Sequence, residues 1–170
     1  MSMSHRAYLF DWRSFRDELA PLLEASLADH DVARLIAFAN AHLSSLSDPY
    51  EGDPVTDDWM PCLENGDEQE IADYLLTKYY DPSADLGLGH AWLQLESSLP
   101  EEARAALLGR PFGPEQNLFD PGRMGAYFQD EEMTRTSLTL LRSQNHQALD
   151  AYIAFLEHAV FLGKGLYVTF

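Results

Sequence analysis

The chain has 170 residues, 46% of them apolar and 12% aromatic, which suits one folded domain and excludes a wholly disordered chain. Its 28 Asp and Glu against 11 Lys and Arg give a net charge of −17; such a surface repels phosphate backbones and anionic lipid, so no nucleic acid is expected as a partner. No apolar run approaches the roughly 20 residues that cross a bilayer, so no membrane partner is expected either, and the single cysteine, Cys62, excludes an internal disulfide and fits a reducing compartment.

The opening residues through Arg6 lead into at most five apolar residues, too few for a secretory signal, and a cytoplasmic location is expected. Arg6-Ala7-Tyr8-Leu9-Phe10 reads as a buried strand. Phe15, Leu19, Leu22, Leu23 and Ser26 then recur at helical spacing, with Pro21 set to kink or divide the helix because it has no amide hydrogen to give. Val32, Leu35, Ile36, Ala39, Leu43 and Leu46 form the stripe of an amphipathic helix behind Asp29 or Asp31.

Residues 48–66 form a long acidic loop, kept irregular by Pro49, Gly52, Pro54, Pro61 and Gly66. It carries Tyr50, Val55, Trp59, Met60 and Leu63, which a purely solvated linker would not need, so the loop is expected to pack across the body. Asp67 with Glu70 resembles a capping box ahead of Ile71, Tyr74, Leu75 and Tyr79. Leu88, Trp92, Leu95 and Leu99 make a further stripe, and Pro100-Glu101-Glu102 opens the next helix, ended by Gly109. Residues 109–126 are a second loop, rich in Pro and Gly. Asp130 to Ser143 reads as a helix in spite of Thr134, Thr136 and Thr139. Leu149, Tyr152, Ile153, Leu156 and Val160 line the last helix, and Leu166-Tyr167-Val168-Thr169-Phe170 is a second strand. The expected fold is mainly α, an α+β chain with a minor sheet. It forms a single compact domain over residues 1–170, with about six helices and the N- and C-terminal strands paired in a small sheet.

Chemical motifs are scarce. Cys62 lies in dense negative charge, which works against a thiolate, and no histidine is tied to it by sequence. The six histidines form no H-x-x-x-H or H-E-x-x-H pair, although His146, Asp150, Glu157 and His158 fall close together on one segment. From Asp48, an EF-hand would need Gly at the sixth position and Glu at the twelfth, but the chain has Asp53 and Trp59. Gly87-Leu88-Gly89-His90 lacks the third glycine of a dinucleotide fingerprint and the lysine of a phosphate loop. No metal site, catalytic residue or cofactor is therefore assigned. Arg110 and Arg123 accompany Phe112, Phe119, Tyr127 and Phe128; the arginines are expected to pair with the chain's own acids and the aromatics to fix the loop to the core.

Charge is the most informative term. Asp48, Glu51, Asp53, Asp57, Asp58, Glu64, Asp67, Glu68, Glu70, Asp73, Asp81 and Asp85 fall in one stretch opposed only by Lys78. The expected function is an acidic protein-binding module, an inhibitor or immunity-type protein that neutralises a basic partner. Asp53, Asp57, Asp58, Glu64, Asp67 and Glu68 would supply the docking face, with Trp59, Tyr79 and Tyr80 as aromatic anchors. The alternative is a metal-dependent hydrolase using His and carboxylate residues. Self-association into a homodimer is compatible with either reading.

Overall fold

The structure, a computed structural model, describes residues 3–170. Its sheet has three antiparallel strands, β1 (Arg6–Phe10), β2 (Ala126–Gln129) and β3 (Gly165–Thr169), in the order β1-β3-β2. As expected, the first and last strands pair, with Arg6 opposite Thr169 and Phe10 opposite Gly165. β2 lies on the other side of β3, where Phe128 faces Tyr167. Because side chains alternate along a strand, Tyr8, Phe10, Phe128 and Tyr167 enter one buried cluster, while Ala7, Leu166 and Val168 enter a second. Both faces of the sheet are thus covered, which explains why its strands are apolar almost without interruption.

The first cluster is closed by α1 (Trp12–Glu18), α2 (Ala20–Asp29), α3 (Ala33–His42) and α4 (Glu68–Leu76). The second is closed by α5 (Ala91–Ser98), α6 (Glu101–Leu108), α7 (Glu131–Ser143) and α8 (Asp150–Phe161). The fold is mainly helical with a minor sheet, in one domain. None of the helices, among the described residues, is long and apolar enough to cross a membrane. The eight helices among the described residues exceed the six expected, partly because Pro21, in the first turn of α2, divides the first helical stretch. The stripe from Val32 to Leu46 is helical only to His42 and then tightens into a 3₁₀ turn over Leu43–Ser45.

β2 is a correction to the sequence reading, which ended the second loop at residue 126 and placed no strand over 126–129. It has only four residues and follows Gly122 and Gly125, too short a run to show alternation. Arg110 extends the pairing, exchanging backbone hydrogen bonds with Phe128 at 2.9 and 2.8 Å. The aromatics of the second loop do fix it to the core: Phe119 is fully buried, and Phe112 and Phe128 pack on Phe15 with ring centroids 5.3 and 5.6 Å away.

One core position is a histidine. His5 is fully buried against Trp92 and Tyr152. Its Nδ1 accepts from the Leu88 N–H at 3.2 Å, so Nε2 carries the hydrogen and donates to the Leu107 carbonyl at 2.8 Å. Burial pushes its pKa below the ordinary value, in keeping with a neutral ring.

The start of α4 sets the geometry of everything around it. Asp67 accepts from the Glu70 N–H at 2.9 Å, as an N-cap should. Glu70 reaches back past the cap and accepts from the backbone N–H groups of Glu64, Asn65 and Gly66 at 2.7, 2.7 and 2.8 Å. Partial burial works against the Glu70 charge, but those three donors outweigh it and hold the carboxyl below the usual range. Thermal unfolding of Asp67→Ala is expected to show a loss of about 1 kcal/mol, the ordinary worth of an Asp cap; an unchanged melting temperature would mean that the cap is not needed.

Candidate functional site

The acidic loop folds back on α4. Asp48 accepts from the N–H groups of Tyr50 and Glu51 at 2.7 and 2.9 Å, and its other oxygen accepts from the Tyr74 hydroxyl at 3.2 Å. Backbone bonds from Asp48 N–H to Asp53 O at 2.8 Å and from Val55 N–H to Leu46 O at 3.1 Å close the turn. Trp59 is 3% exposed and packs near Tyr74.

Of the residues expected at a docking face, Asp53, Asp57, Asp58 and Glu64 are exposed. Asp67 is half-buried in its capping role. Glu68 is buried and accepts from His30 Nδ1 and Asn117 Nδ2, both at 2.8 Å. Trp59, Tyr79 and Tyr80 are not surface anchors. Tyr79 packs on Phe10 and Phe15, and Tyr80 packs on Tyr8 and Tyr167. Helical spacing shows which residues are apolar, not whether a neighbouring loop covers them. The large apolar side chains that this loop does expose are Tyr50 and Met60.

Six ion pairs occur among the described residues: Arg13–Glu131, Arg16–Asp17, His30–Glu68, Lys78–Glu18, Arg142–Glu157 and Lys164–Asp11. Only Glu68 among them is an acid of the 48–85 stretch. Lys78, the single base of that stretch, is drawn away to Glu18 outside it. Arg110 and Arg123, expected to pair with the chain's own acids, form no ion pair among the described residues. Arg123 nevertheless lines a cleft of about 490 Å³ with Tyr50, Glu64, Glu70, Tyr74 and Asp120. This cleft lies between the end of the acidic loop, the first turns of α4 and the second loop. Gln69 fastens the second loop to α4, donating to Leu118 O and accepting from the Asp120 N–H, both at 2.8 Å.

The sequence reading passed over the most unusual group here. Asp73, on α4, is 6% exposed and faces a smaller cavity of about 50 Å³, which shares Tyr50 and Pro121 with the larger cleft. Arg6, Tyr8, Tyr80 and Tyr167 also line it. Burial drives the Asp73 carboxyl up to about 7; the Tyr50 hydroxyl opposes that shift by donating to it, while Asp48 and Glu70 add to it. The one hint in the sequence is an acid inside the otherwise apolar run Ile71-Ala72-Asp73-Tyr74-Leu75-Leu76.

No group of three or more His, Cys, Asp or Glu placed to hold a metal occurs among the described residues. In the segment that looked closest to one, Glu157 pairs with Arg142, and His146 Nδ1 accepts from the Ala148 N–H at 3.3 Å. Cys62 is exposed, with Sγ 3.7 Å from the Asp58 carbonyl oxygen. Comparison with family models, with curated proteins and with solved structures finds no match to this chain.

Proposed function

We propose that this protein is an acidic docking module, of inhibitor or immunity type, that works in the cytoplasm by covering the anion-binding surface of a basic protein. The observation that carries this reading is the uncompensated charge of the 48–66 loop. Asp53, Asp57, Asp58 and Glu64 are exposed and take part in none of the ion pairs among the described residues, and the local lysine points its charge elsewhere. Carboxylates left free in this way present a negative field to an approaching cationic surface, which speeds encounter and selects the partner by charge. Holding the loop on α4 through Glu70 and Asp48 lowers the entropy lost on binding.

Affinity capture with the immobilised protein tests this reading. The chain carrying Asp53→Asn, Asp57→Asn, Asp58→Asn and Glu64→Gln together is expected to lose the basic proteins that the parent retains at low ionic strength. Those proteins should leave the parent as salt shortens the Debye length from about 10 Å at 0.1 M towards about 3 Å at 1 M. If both chains capture the same proteins, or if salt has no effect, the reading is wrong.

A further inference from the structure

The Asp73 cavity is not explained by docking through the exposed loop, and it has a chemistry of its own. A carboxyl buried this deeply is ordinarily matched by a cation or by several donors. Asp73 has one donor, the Tyr50 hydroxyl, and its charged neighbours Asp48 and Glu70 are acids. Arg6, at the same cavity, interacts with the Tyr8 hydroxyl instead. The Tyr167 hydroxyl bonds within its own strand, to Thr169. Tyr80, 9% exposed, also lines the cavity. The cavity therefore holds an under-matched carboxyl and is lined by Tyr80 and Tyr50, within a cluster of tyrosine rings whose centroids are 4.8–6.1 Å apart.

The geometry points to a recognition pocket for a protonated primary amine, its ammonium held by the Asp73 carboxylate and the Tyr80 and Tyr50 oxygens, with the ligand's aliphatic chain leading out past Tyr50 into the 490 Å³ cleft. An ammonium has three N–H donors and needs acceptors, which these three oxygens provide. Its size is close to that of a water molecule, about 30 Å³ in the liquid, and it fits a space of about 50 Å³. Tyrosine rings add attraction for a cation. A divalent metal would need six or more oxygen ligands with several carboxylates, whereas one carboxyl faces this cavity. An anion would meet Asp73, Asp48 and Glu70. Tyr50, 69% exposed and joined to Asp73 only through its hydroxyl, forms the wall that an entering chain must pass.

Isothermal titration with putrescine and with N-acetyl-lysine methylamide tests the pocket, because a primary ammonium can arrive on a free aliphatic amine or on a lysine side chain. At least one of the two is expected to bind saturably, and whichever does so names the source. Asp73→Asn should weaken binding about a hundredfold and Tyr80→Phe about tenfold. Tetramethylammonium, which has no N–H, should not compete. Because binding needs the carboxylate, affinity should rise about tenfold per pH unit up to about pH 7 and then level off, with Tyr8, Tyr50, Tyr80, Tyr167, Arg6, Asp48 and Glu70 as the other titratable groups facing or influencing the site. A chain carrying only Asp53→Asn, Asp57→Asn and Asp58→Asn, none of which lines either cavity, should keep this binding, so failure here and failure of the docking reading are separate results. Absence of saturable binding by both amines, or equal binding by Asp73→Asn and the parent, overturns the assignment.

Discussion

Gly165→Ala is expected to lower stability by about 3 kcal/mol or more, read as a fall in the urea midpoint. Gly165 opens β3 and lies between Phe10 of β1 and the end of β2. A Cβ placed there would sit 2.2 Å from the Gln129 carbonyl oxygen and 3.1 Å from Trp12 Cβ. The first of these is backbone and has nowhere to retreat: Gln129 is fully buried, and its side chain donates to Ala106 O at 2.9 Å. Relief would require moving one strand away from another, and both cores depend on that pairing. Gly163→Ala is the control. Nothing lies within 4 Å of its Cβ position, but its φ of +63° is left-handed, so the cost should be about 1 kcal/mol. Equal losses at the two positions would show that the close approach at Gly165 costs no more than the left-handed φ at Gly163, and the packing argument would fail.

Asp73→Asn is expected to make the protein more stable at neutral pH and above. Burial raises the Asp73 pKa from its ordinary 3.8 to about 7 in the folded protein. The native state therefore holds this proton more tightly than the unfolded chain does between about pH 4 and about pH 7. Across that window stability falls as pH rises, and above it the full cost of a buried carboxylate is in force. At about 1.4 kcal/mol for each pH unit, that cost is about 4 kcal/mol. Asparagine keeps the shape and carries no charge. The two chains should be close in stability near pH 4 and diverge until about pH 7, after which the variant's advantage is constant. The other carboxylates titrate alike in both chains and drop out of the difference. A stability difference that does not change with pH would show that Asp73 is not the strained acid described above. A residue whose removal strengthens the fold while weakening amine binding is retained for its chemistry, since a purely structural group would lose both together.

Much of this architecture was legible in the sequence. The two terminal runs, Arg6–Phe10 and Leu166–Phe170, were short, aromatic and apolar, and their pairing with each other was expected. The acidic starts of α6 and α7 and the Asp67 cap also marked helices that are present. What could not be read is what covers what. Asp73 follows Glu70 by three positions and precedes Tyr74, on a face that sequence alone gives to solvent; residues 49 and 50 of the acidic loop turn it into a cavity wall. Trp59, Tyr79 and Tyr80 were visible as large aromatics, but their burial comes from segments distant in the chain. The exposed carboxylates of the loop were legible one by one, whereas the diversion of Lys78 to Glu18 spans sixty residues and leaves no local trace.

The central position of β3 has a consequence for how the molecule comes apart and together. Tyr167 belongs to one core and Leu166 and Val168 to the other, so neither half can melt without stripping a shared strand from its neighbour, and denaturation should follow a single cooperative transition. β1 meets its partner only after more than 150 intervening residues have been made, a separation that slows folding through the loop entropy it must overcome. During synthesis β1 and β2 wait with unpaired edges, and aggregation during that interval is the hazard to which this topology commits the chain.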